Sequence, residues 1–139
     1  MVLKKSSMKH TLIVIFSLLG LISCKKHPVE FIAGGNDVAD IRLTLKVNNT
    51  FDLAFRSMLD SEDTVSIENK KYIFTGTWKT NNHFYELEFK KDSNDIPNVM
   101  ALFDPIDNPG ILERINHKSV KFKEETEHLV IWGVECDRQ

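Results

Sequence analysis

Cysteine is scarce in this chain, with two in 139 residues, so a disulfide framework is excluded as the main source of stability. Four prolines and six glycines leave no collagen-like or low-complexity composition. No apolar run is long enough to cross a bilayer, because the longest uncharged one, residues 11–22, falls well short of the roughly 20 residues that a spanning helix needs. Charge of one sign is missing too: 18 Lys and Arg face 20 Asp and Glu, for a net charge of −2. That balance excludes the basic stripe expected of a nucleic-acid binder. The chain carries no Gly-x-Ser-x-Gly, no His-Glu-x-x-His and no phosphate loop, so no catalytic group is expected. After residue 24 no stretch holds a helical period over 11 residues.

What is present begins at the N-terminus. Lys4, Lys5 and Lys9 precede an apolar run that ends in Leu21-Ile22-Ser23-Cys24. A basic region, a short apolar region and a small residue make the pattern of a cleaved secretory signal. The four residues at its end resemble the lipobox of bacterial lipoproteins. Leu21 stands at the family's preferred position three before the cysteine, and small Ser23 suits the cleavage point. The resemblance implies that residues 1–23 are a signal peptide and that Cys24 is the lipidation site. A thioether-linked diacylglycerol and an acyl chain (palmitate-type) on the new amine would then hold the protein, since two or more chains anchor stably where one does not. It also implies the periplasmic face of the outer membrane, because neither an Asp directly after Cys24 nor an acidic cluster there redirects the protein. Loss of three lysines with the signal would take the net charge to −5. The partner expected from this end is a membrane.

Residues 24–40 read as the lipidated cysteine and a tether, with Pro28 and a Gly34-Gly35-Asn36 break. Residues 41–139 read as one domain. From Ile41 the hydrophobic period becomes two: Ile41, Leu43, Leu45 and Val47, then, after Asn48-Asn49, Phe51, Leu53 and Phe55. Further strands are expected around Val65 and Ile67, at 71–80, 85–90, 98–103 and 118–123, and at 128–134, the last apolar on both faces. Residues 111–115 fit either a helical turn or a strand. Gly76, between Phe74 and Trp78, predicts a bulge or a bend where backbone comes close. The expected fold class is all-β: an antiparallel meander of about eight strands, most simply a small barrel, with a two-sheet sandwich as the alternative.

The run Leu45-Lys46-Val47-Asn48-Asn49-Thr50-Phe51-Asp52-Leu53 and the later Phe74-Thr75-Gly76-Thr77-Trp78 resemble the small lipocalin-like lipoproteins of Bacteroidetes. The resemblance covers the mature body and implies a lipocalin-like barrel. Two departures stand beside it. The Gly-x-Trp of true lipocalins lies near the first strand, whereas Gly76-Thr77-Trp78 lies mid-chain, and the Cys-x-x-Cys of related copper-stress lipoproteins is absent.

Candidate binding residues follow from the aromatics. Tyr72, Phe74, Trp78, Tyr85 and Phe89 fall on adjacent expected strands and would line a cavity for a small apolar ligand, or else fill the core. The irregular loop around Asp104, Asp107 and Gly110 is the candidate contact for a protein partner, as in a periplasmic inhibitor or immunity lipoprotein that binds a toxin or lysozyme. Thr75-Gly76 loosely resembles the Ser-Gly loop of periplasmic lysozyme inhibitors. A third reading is an accessory of an envelope assembly, docking at a bare strand edge near residues 41–47. No metal and no cofactor are expected, because His27, His83, His117 and His128 show no i, i+2 or i, i+4 pairing. Cys136 reads as a semi-buried thiol, with His128 and Asp137 its only plausible polar neighbours. Asp63-Thr64-Val65 fits a short O-glycosylation pattern of Bacteroidetes.

Overall fold

The computed structural model describes residues 26–34, 39–57, 71–90 and 99–139. They form one antiparallel sheet of nine strands. In chain order these are β1 (Val29–Ala33), β2 (Ala39–Leu45), β3 (Thr50–Ser57), β4 (Lys71–Asn81), β5 (Phe84–Phe89), β6 (Leu112–Asn116), β7 (Ser119–Lys123), β8 (His128–Ile131) and β9 (Val134–Arg138). A single helical turn, α1 (Val99–Leu102), separates β5 from β6. The spatial order is β6-β7-β5-β4-β3-β2-β1-β9-β8. The sheet curls into a half-barrel consistent with a small lipocalin-like barrel. One sheet, and not the two of a sandwich, carries the fold.

The curl is visible across the core. Phe31 of β1 and Phe122 of β7, with four strands between them in the sheet, pack edge to face at 5.6 Å. Near the same end, the Arg138 guanidinium donates to the carbonyls of Glu124 and Thr126 and, at 3.4 Å, to the Tyr85 hydroxyl, joining β9 to β5. Alternation builds the interior as period-two side chains must: Ile41, Leu43 and Leu45, then Phe51 and Leu53, then Leu87 and Phe89 are all buried. The outer face is laced with cross-strand ion pairs, among them Lys79 with Glu86, Lys118 with Glu88 and Lys121 with Glu113.

The turns explain the tight strand order. Asn82-His83 joins β4 to β5 and Trp132-Gly133 joins β8 to β9, each as a two-residue link with both residues at positive φ. That geometry twists with the strands and suits hairpins. Asn49 supplies the left-handed residue between β2 and β3.

Several expectations are corrected. Residues 29–33 are not tether: β1 lies between β2 and β9, with Phe31 fully buried, so the domain starts before residue 41. Its alternation spans five residues between Pro28 and Gly34, too short for the period to register. With β1 beside it, β2 is interior and offers no bare edge at 41–47. Residues 99–102 are a helical turn, not a strand. Val99, Leu102 and Phe103 are buried at i, i+3 and i+4, and a short apolar run does not by itself distinguish the two periods. Residues 128–134 are not one strand but β8, a turn and the start of β9. Of the two options at 111–115, the strand forms, as β6. The expected strand at Val65 and Ile67, the Asp63-Thr64-Val65 pattern and Cys24 lie outside the described residues.

Candidate functional site

The five candidate aromatics do not converge on one cavity. They divide into three groups set by their level along the strands. Trp78 and Tyr85 meet edge to face at 5.7 Å, and Tyr85 then packs on Phe122 at 5.5 Å. The Trp78 Nε1–H donates to the Lys46 carbonyl at 2.9 Å, which fixes the indole against the β2–β3 turn. Phe89 is buried between Phe51 and Phe103, with centroids at 4.9 and 6.0 Å. These two groups pack on the core, with Tyr85 and Phe89 buried and Trp78 half-buried, and Trp78 and Phe89 each border one of the two separate grooves described below rather than a shared cavity.

Tyr72 and Phe74 belong to a third group at the opposite end. Their rings lie nearly parallel, 6.2 Å apart. Phe55 of β3 packs beside Tyr72 at 6.4 Å and meets Trp132 edge to face at 4.8 Å. Register explains the first contact, because Phe55 stands directly across from Tyr72. The curl explains the second, since it brings the β8–β9 turn to β3. Tyr72 and Trp132 are each 37 % exposed, whereas Phe55 and Phe74 are half-buried behind them. The result is an aromatic patch with two exposed rings on a supported base. Trp132 sits at φ 53°, a conformation unusual for a bulky side chain.

Sequence reasoning missed Phe55 and Trp132. Phe55 read as one more alternating core residue. Trp132 falls inside the apolar run 128–134, which fits a strand, and only the adjacent Gly133 hints at a turn.

The loop at 104–110 is built tightly. The Asp104 carboxylate accepts the Ile106 N–H at 2.9 Å, and the Asp104 carbonyl accepts from the Asp107 N–H and the Asn108 amide. Asp104 is therefore a turn residue, Asp107 is exposed, and Gly110 (φ 72°) turns the chain toward β6. Asn108 is buried and grips β8: its Oδ1 accepts the Val130 N–H at 2.8 Å while its Nδ2 donates to the Val130 carbonyl at 2.9 Å. These are the two bonds that a neighbouring strand would make. The loop thereby covers an edge that would otherwise be open to pairing. At its tip Ile106 is 84 % exposed.

His128 and Asp137 face each other across β8 and β9, Nδ1 to Oδ1 at 2.7 Å, with Glu135 at 3.5 Å. All three are exposed. The hydrogen bond to Asp137 is the largest influence on the imidazole and raises its pKa above the ordinary value. No i, i+2 spacing within one strand reveals this pair, because it forms between strands. Cys136 points the other way, into the core, and burial pushes its thiol up to about 12. It is inert to the His128 group that the sequence placed near it.

Two grooves lie apart from the aromatic patch. One, of about 580 Å3, crosses the sheet at Gly76 and is lined by Thr50, Asp52, Thr75, Thr77, Glu88 and Lys118 among others. The other, of about 270 Å3, lies beside Ile115 and Asn116 of β6. No family model, no curated protein and no solved structure matches this chain.

Proposed function

We propose that the protein is a non-enzymatic lipoprotein of the cell envelope, anchored through Cys24 at the periplasmic face of the outer membrane. Its task is to bind a small apolar ligand or an apolar envelope component at the aromatic end of the half-barrel. The observation that carries this reading is the group Phe55, Tyr72, Phe74 and Trp132, in which two large rings stay exposed on two half-buried ones. Exposed apolar surface that is contiguous marks binding sites more often than scattered single residues do. The backbone at Trp132 adds to it. Asn or Gly would occupy φ 53° with less strain, and retained strain of about 1–3 kcal/mol points to a side chain kept for its contacts.

The test uses Trp132 as reporter. In a Trp78→Phe variant it is the only indole, and a fluorescent fatty-acid analogue should show saturable energy transfer from it. Tyr72→Ala should weaken that transfer. Absence of any saturable signal would remove the apolar-ligand reading.

A second reading, a periplasmic inhibitor or immunity lipoprotein, is favoured by one observation. Ile106 projects from a loop held rigid by two prolines, the Asp104 turn and the Asn108 grip on β8. A pre-ordered loop loses little entropy on binding a protein partner. Pull-down from envelope extract, compared with an Ile106→Asp variant, separates this role from the first.

A further inference from the structure

We infer that the end of the half-barrel bearing the β2–β3 turn, with Val47 at its tip, rests on a zwitterionic lipid surface. The inference rests on the anchor at Cys24 proposed above and adds an orientation to it. Four residues, Lys25 to Pro28, separate Cys24 from the first residue of β1. Five Cα steps reach at most about 17 Å when fully extended. The register then says which end of the body that short strap holds. Val29 pairs with Leu45, one residue before the β2–β3 turn. Gln139 bonds to the Glu30 carbonyl and Arg138 to the Glu127 carbonyl, so the β7–β8 turn lies at the same end.

Strands of seven or eight residues span roughly 25 Å. An inverted body would lift Val29 by about that height, beyond the reach of the strap. The aromatic patch of Tyr72 and Trp132 therefore faces away from the membrane, open to the periplasm.

The chemistry of the lower end fits a zwitterionic headgroup layer better than an anionic one. Lys26, Lys46, Lys123 and Arg138 are balanced there by Asp52, Glu124, Glu125 and Glu127, with Lys46 paired to Asp52. Val47 is 55 % exposed at the tip of the turn and is the apolar group available to enter the interface. The outer face of the strands, by contrast, offers the ion pairs described above.

The experiment uses the full-length protein, isolated with its anchor and checked by intact mass. Bimane is attached at Val47→Cys or, separately, at Lys71→Cys, which is exposed at the start of β4 at the opposite end. Buried Cys136 stays unlabelled. The protein is reconstituted in phosphatidylcholine and phosphatidylethanolamine vesicles containing a headgroup nitroxide lipid. Quenching should be several-fold stronger at position 47 than at position 71. Equal quenching at the two positions, or stronger quenching at 71, on acylated protein would overturn the orientation. A mass without acyl groups on Cys24 is a different failure and removes the anchored reading itself.

Discussion

Phe51 and Phe89 meet edge to face, 4.9 Å between centroids, across Gly76 of the strand between them. A Cβ at position 76 would lie 2.1 Å from the Glu88 carbonyl oxygen and 2.6 Å from the Phe51 ring. The backbone contact is the harder of the two, because no rotamer change relieves it. Gly76→Ala should destabilise the body by roughly 3 kcal/mol, the upper range for overpacking a core. Urea unfolding followed by tryptophan fluorescence measures this, with Thr75→Ala, at an exposed neighbour, as the control. A midpoint unchanged by Gly76→Ala would show that the strand bends differently.

Asn108→Ala removes both bonds to Val130 and leaves buried polar groups without partners. A loss of about 1–3 kcal/mol is expected. Because the same change opens the β8 edge, self-association should rise with it. Sedimentation velocity at increasing concentration reads the second effect separately from stability.

Trp132→Asn should place a residue that tolerates positive φ where a bulky one now sits. Relief of backbone strain offsets the lost contact with Phe55, so stability should stay within about 1 kcal/mol of the parent. Binding of the fatty-acid analogue should nevertheless fall, read here by the probe's own fluorescence. Retained binding would detach Trp132 from the site.

The His128–Asp137 pair sets a small pH dependence. A folded-state pKa above the ordinary 6.5 means that its contribution is fully present below that value. It is lost as pH rises through the raised folded pKa. NMR titration of the imidazole should give a midpoint above 6.5, and His128→Gln should abolish that part of the stability profile. A midpoint at or below 6.5 would contradict the hydrogen bond to Asp137.

Cys136 should resist thiol reagents in the native protein at pH 8, because burial holds it as the neutral thiol. It should react promptly once the chain is unfolded in guanidinium.

Much of the sheet was legible because one face of each strand is wet. In β2 and β3 the alternation of Ile41, Leu43 and Leu45, then Phe51 and Leu53, needs no tertiary information. Asn48-Asn49 announced its turn because Asn tolerates positive φ, which Asn49 adopts. Gly76 announced a close approach, although not which atom would approach. The elements that escaped were those whose pattern is shorter than a period can establish. β1 has five residues, α1 has four, and β8 and β9 are divided by a turn whose first residue is a tryptophan. The site was half legible for a related reason. The sequence named Tyr72 and Phe74 but grouped them with Trp78, Tyr85 and Phe89, because alternation reports which face a side chain takes and not its level along the barrel.

By itself, then, the sequence determined an all-β antiparallel body, the inward-facing set on each long strand and the turn at Asn48-Asn49. These depend on neighbours in the chain, through steric preference and a period of two. Only the tertiary structure decided that β1 enters the middle of the sheet, that Asn108 replaces a strand beside β8 and that Phe55 meets Trp132. Each of those contacts joins residues far apart in the chain. They form because the pairing and curl of the whole sheet bring distant segments together, a property that no local pattern encodes.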